Sequence, residues 1–491
     1  MPRVTPALRE QRIDWSAVRQ LADQAFARTS GAPLRDGNDV VLLRNASENY
    51  PAWLDAIAQA RQTIHFEMYI ISEDQQGRLF ADALIARARA GVRVRVLYDW
   101  LGGFGKTSRA FWRNLREGGV EVRSYNPPRF DRPFGWVSRD HRKLIVVDGE
   151  TAFVTGLCVG QEWVGDARRH IDPWRDTGMS LRGPAVADVA AAFAEAWEAV
   201  GDPLPEVSPA AARAVDAGDV SLRVVATVPN TAGLFRVDQL VAAMARRTLW
   251  LTDAYYGGTT AYVQALRSAA LDGVDVRLLV PGATDIPLIR PFSRAGYRPL
   301  LDAGVRVFEW NGSMIHAKTA VADGQWARVG SSNLNIASWM GNRELDVIVE
   351  HPGFAAQMEE MFLADLENAT EVVLTKNRVR VPGAPLRRRQ PSAGRRGSGS
   401  SGRMVAGAVR VGRTVAAAIT NTRVLESVEA NIALIAGGLL AGLAVLTWLF
   451  PRAIAYPLAA IAAWLGLALL YRGFELYRRG RGPVNPLPGD E

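Results

Sequence analysis

Two histidine-lysine pairs with one spacing carry the chemistry this chain can do. His141 and Lys143 are followed by Asp148, and His316 and Lys318 by Asp323, so two of the five histidines fall in a repeated frame. Side chains two residues apart on an extended strand project to the same face, so each imidazole and ammonium can converge on a common anion, most simply a phosphate. Neutral imidazole is a nucleophile that also leaves well, which suits a phosphodiester displacement split into two steps. Lysines fixed beside it would neutralise the oxygens on which charge builds in the transition state, work that requires no metal. A single such pair would read as ordinary strand residues on a polar face; recurrence in the same frame sets these apart. Asp148 and Asp323 each precede a glycine, so turn formation at a strand end competes with a part in the site.

The segments that must position these residues repeat too. AQARQTIHFEMYIIS (58–72) parallels AMARRTLWLTDAYYG (243–257), an amphipathic helix end running into an apolar strand. ARAGVRVRVLYDW (88–100) parallels ALDGVDVRLLVPG (270–282), a helix stopped at Gly91 or Gly273 before a Val-rich strand. REGGVEVRSYNP (116–127) parallels LDAGVRVFEWNG (301–312). The order strand, helix, strand, helix, strand, H-x-K strand therefore occurs over 40–180 and again over 220–350. Such alternation predicts an α/β sheet flanked by helices, in two lobes that face each other across one site.

With these blocks the chain resembles the phospholipase D superfamily, whose members carry two H-x-K-x4-D motifs in a pseudo-twofold pair of lobes. Within it the chain looks most like the bacterial cardiolipin synthases. The resemblance covers roughly Asp39 to Val373 and also rests on WRDTGMSLRGPAV (174–186), RLLVPGATDIPLIR (277–290) and GSSNL followed by NRELDV (330–347). It implies that His141 is the nucleophile, forming a phosphohistidine, and that His316 is the general acid. It implies phosphate contacts from Lys143, Lys318, Ser331 and Asn333, with the aspartates of both motifs, Asp148 and Asp323, counted in the catalytic set. Glu344 and Asp176 match the acidic partners that hold the second nitrogen of each imidazole. The plainer reading of those two carboxylates is an ion pair with the adjacent Arg343 or Arg175. One position departs from the family: Cys158 stands where an asparagine is usual, and a thiol is the weaker donor.

Cys158 is the only cysteine, which rules out an intrachain disulfide and a cysteine metal cluster. His65, His170 and His351 share no ligand spacing, although His170 sits in a charged segment, DARRHIDPWRD, that could face substrate. No cofactor or metal is expected. The chain has 58 Lys and Arg against 50 Asp and Glu, yet from Lys376 to Arg423 basic residues occur without one acidic residue. That segment carries the basic balance and leaves the lobes slightly acidic, so no nucleic-acid surface is expected. Its Gly and Ser content marks a flexible linker, either lying on anionic lipid at about 1 kcal/mol per basic residue or merely solvated. Met404 to Ile419 has a weakly amphipathic pattern.

Two uncharged apolar runs follow, Ala430–Pro451 and Ala453–Tyr471, each near the roughly 20 residues a helix needs to cross a bilayer. Trp448, Phe450 and Tyr456 cluster at the turn between them, and Tyr471, Phe474 and Tyr477 at the far end, as interfacial belts do. Arginines crowd both outer flanks, which the positive-inside bias assigns to the cytoplasm. A buried or re-entrant helical pair is the competing reading, because Pro457 shortens the second run. The first sixteen residues contain no apolar signal region, so nothing suggests export.

The expected fold is thus α/β: two pseudo-twofold phospholipase D-like lobes with mixed sheets flanked by helices, plus a C-terminal transmembrane helical hairpin. The expected divisions are a helical extension (1–38), first lobe (39–215), second lobe (216–375), Arg-rich linker (376–428), membrane hairpin (429–472) and cytoplasmic tail (473–491). The resemblance implies a transphosphatidylase at the inner membrane, joining two phosphatidylglycerols with release of glycerol. A hydrolytic phospholipase D or nuclease uses the same histidines with water as acceptor. A catalytically silent lipid-binding scaffold is the third reading, disfavoured by the completeness of both motifs.

Overall fold

The computed structural model describes residues 15–128, 137–204, 216–286, 293–375 and 378–380, and toward the C-terminus 438, 441–442 and 445–479. The first lobe contributes β1 (Arg35–Arg44), β2 (Thr63–Met68), β3 (Arg93–Asp99), β4 (Glu121–Tyr125), β5 (Lys143–Val147), β6 (Thr151–Thr155) and β7 (Thr177–Arg182). The second contributes β8 (Val220–Thr227), β9 (Thr248–Thr252), β10 (Asp275–Pro281), β11 (Arg306–Trp310), β12 (Thr319–Ala322), β13 (Trp326–Gly330), β14 (Glu344–Glu350), β15 (Ala369–Thr375) and β16 (Arg378–Arg380). Counted outward from the middle, the order is β1-β7-β6-β5-β2-β3-β4 on one side and β8-β14-β13-β12-β9-β10-β11 on the other. The duplication legible in the sequence is therefore a duplication of topology. β1 and β8 pair antiparallel and join the halves, while β15 and β16 extend the second lobe alone.

The crossovers bring the chemistry to the ends of the interior strands β5 and β12. β2, β3 and β4 run parallel, as do β9, β10 and β11, and parallel neighbours require a helix to carry the chain back. Helix Gln75–Arg89 begins where Asp74 accepts from the amides of Gln76 and Gly77 and buries Phe80, Ala81, Leu84 and Ile85. It ends before Gly91, whose φ of 91° is left-handed backbone that glycine adopts without steric cost. Helix Thr260–Leu271 repeats the device with a Thr259 cap and Gly273 at φ 93°. Each return lets the last strand double back antiparallel, so Met68 pairs with Lys143 and Thr252 with Thr319.

Apolar packing divides into three large regions and a small fourth one of Ala254, Tyr255 and Met314. Trp53, Phe66 and Phe80 fill the first lobe, and Leu251, Tyr262 and Tyr297 the second. The third lies between the lobes, where Phe193 and Trp197 of helix Val186–Glu198 share a core with Phe354 and Met358 of helix Pro352–Glu367. Burying large side chains from both halves is favourable at about 1.5–3 kcal/mol each. It ties the lobes into one packed unit across which a site can be built.

The expected divisions shift at their edges. Helix Trp15–Ser30 occupies the N-terminal extension, but Arg35–Asn38 of that span belong to β1, secured by Asn38, whose carboxamide donates to Arg35 O and Val220 O. β16 takes Arg378–Arg380 from the linker; the rest of that linker, Met404–Ile419 included, and most of the first apolar run lie outside the described residues. Helix Pro451–Arg479 starts with proline, the residue best tolerated in a first turn, and continues through Pro457 and past residue 472. Pro457 therefore does not shorten the second run. Among the described residues, no helix is long and apolar enough to cross a membrane.

Candidate active site between the lobes

His141 and His316 are each held in place by the opposite lobe. Neither lies within a regular strand: β5 begins at Lys143 and β12 at Thr319, so both histidines precede their strands in extended segments. The His141 amide donates to Arg343 O (2.9 Å), and the Arg343 amide to Arg139 O (2.8 Å). Symmetrically, the His316 amide donates to Arg175 O (2.7 Å) and the Arg175 amide to Met314 O (2.9 Å). The side chains exchange in the same sense. His141 Nδ1 meets Glu344 Oε2 at 2.8 Å, and His316 Nδ1 meets Asp176 Oδ2 at 2.7 Å. A carboxylate only accepts, so each Nδ1 carries the proton and each Nε2 is left with its lone pair.

The ion-pair alternative for the two carboxylates fails, because Arg343 and Arg175 are engaged elsewhere. Arg343 binds Glu195 and the Tyr125 hydroxyl, and Arg175 forms a two-pronged pair with Asp365 at 2.8 and 2.9 Å. Glu344 also accepts from Ser331 Oγ (2.6 Å) and Asn342 Nδ2 (3.1 Å), whereas Asp176 accepts from Trp163 Nε1 (2.9 Å). Gly156, at the position matching Ser331, leaves no room for a side chain, since a Cβ there would overlap Asp176 Oδ1. Indole in one lobe thus does the work of hydroxyl and carboxamide in the other.

Both ammonium groups lie against these rings. Lys143 Nζ donates to His141 O (2.6 Å) and sits 5.1 Å from the Tyr69 ring; Lys318 Nζ donates to His316 O and sits 5.8 Å from the Tyr255 ring. Each ammonium keeps donors to spare for an anion. Burial pushes His141 down to about 3 and His316 down to about 4, the lysine charges adding and the facing carboxylates opposing. Burial also lowers Lys318 to about 8, with Lys143 contributing repulsion and Asp176 opposing. Burial resists ionisation of Glu344 and Asp176, yet the imidazoles and lysines hold both below the usual carboxylate range. Both imidazoles are therefore neutral near pH 7, in a pocket whose two mutually repelling cations favour an incoming anion.

Asp148 and Asp323 are not part of that pocket. Asp148 and Gly149 have φ of 54° and 69°, Asp323 and Gly324 54° and 65°, the left-handed pairs of tight hairpin turns. The Asp148 carboxylate accepts from the amides of Arg61, Gln62 and Thr63, and that of Asp323 from Arg246, Arg247 and Thr248. They fix the entries to β2 and β9, so turn chemistry wins over direct catalysis. Ser331 is likewise a support for Glu344, not a free phosphate donor. Asn333 keeps a buried carboxamide oxygen, an acceptor, without a partner. Cys158 is buried, and burial raises its thiol despite both lysines.

Several contributors escaped sequence reading. Trp163, Trp174 and Tyr255 ring His316 at 5.6, 5.5 and 5.8 Å, whereas Tyr69 stands 4.8 Å from His141. Arg142, between the motif residues, is wholly buried and ties Glu344 O, Ala192 O and Thr227 O together at 3.2, 2.7 and 3.0 Å. Its match is Ala317. The signal available for Arg142 was its place between the two motif residues; for the tryptophans a core role was the natural assumption.

Over residues 53–159 and 241–366 the chain matches the family described as cardiolipin synthase, PLD-like domain. It is 35% identical over 379 residues to cardiolipin synthase A of Pseudomonas aeruginosa, covering 73% of this chain and 75% of that one. It is 32% identical over 377 residues to the cardiolipin synthase of Alkalihalophilus pseudofirmus, covering 75% of this chain and 74% of the relative. Phosphatidylserine synthase of Haemophilus influenzae shares the fold at a TM-score of 0.58 and 15% identity, over 71% of this chain and 91% of that one. At that identity and coverage, the chain belongs to the cardiolipin synthase family, phosphatidyltransferases of the phospholipase D superfamily.

Proposed function

We propose that this protein joins two phosphatidylglycerols into a diphosphatidyl product and releases glycerol, through a phosphohistidine on His141. The phosphodiester sits between Lys143 and Lys318, with Asn333 donating to a phosphate oxygen. Its charge offsets the two ammoniums that, together with burial, keep His316 deprotonated, so substrate binding favours bringing a proton to His316. His141 Nε2 attacks phosphorus as the bond to the glycerol oxygen breaks, and His316 Nε2 protonates that oxygen. Glycerol leaves. The hydroxyl of a second phosphatidylglycerol then gives its proton to His316 while its oxygen attacks phosphorus and the P–N bond breaks. Glu344 stabilises the positive charge on His141 in both steps, and Asp176 serves His316. The observation that carries this reading is the crossed pair of His–carboxylate bonds, 2.8 and 2.7 Å, each spanning the lobes.

The sites would meet their lipid at the bilayer. We place residues 429–472 in a membrane hairpin, with the Arg-rich linker (376–428) against anionic lipid and with lobes and flanks on the cytoplasmic side of the inner membrane. Supporting this are the exposed Trp448, Tyr456, Leu467, Leu470 and Tyr471, apolar and aromatic surface that water disfavours. Vesicles of radiolabelled phosphatidylglycerol with purified protein test the reaction. Diphosphatidyl lipid and glycerol in equal amounts are expected; phosphatidic acid as the main product would assign water as acceptor and overturn transfer.

A further inference from the structure

We infer that a groove on the first lobe holds an acyl chain of the phospholipid whose phosphodiester is cleaved between His141 and His316, an inference that rests on the phospholipid reading above. A cavity of about 330 Å³ lies where the starts of helices Asn45–Gln59 and Gln75–Arg89 meet the short helix Gln161–Val164. Ala46, Pro51, Leu54, Leu79, Trp163 and Val164 supply most of its wall, and no lining residue is charged. The size is at the lower end of small-molecule sites, about 300–1,000 Å³. Leu79 is 48% exposed and Val164 40%, so the groove opens outward between apolar lips.

Its inner wall backs onto the catalytic site. Trp163 lines the groove, donates to Asp176 Oδ2 and packs edge-on 5.6 Å from His316. Asn45, also in the wall, accepts from the Asp176 amide at 3.1 Å, and its own amide donates to Asp176 O at 2.9 Å. The residues that hold the carboxylate of His316 thus form the floor of an uncharged channel. At Glu344 the same supporting work falls to Ser331 and Asn342, neither of which lines the groove. An anion centre flanked by lysines, with an apolar groove on the other side of the Trp163 indole, matches a ligand with an anionic phosphodiester and an alkyl tail. A nucleotide or polyphosphate would leave the channel wet. Because the asymmetry falls on His316, chain occupancy steadies Trp163 and, through it, Asp176.

The test uses the full chain with vesicles of phosphatidylglycerol carrying a diazirine near the end of one acyl chain, irradiated and mapped by mass spectrometry. Adducts are expected on the peptides bearing Leu54, Leu79 and Val164. Leu79→Trp, which fills the lip, should reduce them and raise KM for long-chain phosphatidylglycerol about tenfold, while turnover of deacylated glycerophosphoglycerol stays unchanged. Adducts confined to other segments, or equal changes for both substrates, overturn the inference. Groove labelling by a protein that transfers no phosphatidyl group would sink the transfer reading and leave the groove a lipid site. Transfer without groove labelling does the reverse.

Discussion

The proton on each Nδ1 decides what the imidazoles can do, and a carboxylate from the opposite lobe decides where that proton sits. Glu344→Gln keeps the shape but removes the charge that stabilises a cationic His141, and we expect kcat to fall ~100-fold or more. Initial rates of phosphatidylglycerol conversion measure this; a loss below about threefold would contradict the role. Because burial and the lysines keep His141 and His316 at about 3 and about 4, against 6.5 when unfolded, the folded protein binds fewer protons than the unfolded chain between those values. Stability is therefore unaffected by them above pH 6.5 and falls as pH drops through that window. An anion seated between the lysines should reverse part of this, so tungstate binding near pH 6 should take up protons. Calorimetry in buffers of different ionisation enthalpy measures the uptake, and none at all would count against the proposed electrostatics. Asp148→Ala should lower stability by about 2 kcal/mol through lost backbone bonds while kcat per folded molecule is kept. The histidines and lysines were legible because spacing alone marks them. The aspartates of the same motif were ambiguous, since Asp before Gly reads equally as a turn, and the backbone geometry resolves them.

Elements position the site by crossing over. The segment before β14 holds His141 and the segment before β7 holds His316, and helices Val186–Glu198 and Pro352–Glu367 anchor Arg343 and Arg175 through Glu195 and Asp365. Asp176 has little freedom between Trp163, Asn45 and Gly156. Gly156→Ala should displace its carboxylate from His316 and reduce kcat far more than the melting temperature; unchanged turnover in a folded Gly156→Ala protein would argue that this contact is dispensable. The strand and helix order was readable from periodicity and glycine stops. The bridging of extended segments between lobes was not, because Arg175 and Ile315, or Asp140 and Arg343, are partners far apart in sequence. Trp163 was missed because its ring looks like any core tryptophan; its bond to Asp176 is made from the short helix Gln161–Val164.

As a whole the molecule is a duplicated α/β unit closed by a shared apolar core, followed by a basic linker and an apolar C-terminal region. In the proposed reaction two insoluble lipids must meet at one site, and anchoring the lobes to the bilayer would confine that encounter to a plane. Since Cys158 is the only cysteine and is buried, a Cys158→Ala background allows single reporter cysteines. In sealed right-side-out vesicles, Ser401→Cys and Gly489→Cys should resist a membrane-impermeant maleimide, whereas Arg452→Cys at the turn should react. Labelling of Ser401→Cys or Gly489→Cys would contradict the hairpin orientation. The duplication and the composition change were open to sequence reading at this scale; the inter-lobe core was not, being a product of packing between distant helices.

The most direct test asks whether one imidazole takes the phosphatidyl group while the other only moves protons. Phosphatidyl-p-nitrophenol has a leaving group that needs no proton, so His316→Ala protein should give a burst of nitrophenolate equal to the enzyme sites and an alkali-stable phosphatidyl adduct on the peptide bearing His141. His141→Ala protein should give neither. A burst without any histidine adduct, or an adduct retained when His141 is replaced, would contradict the account.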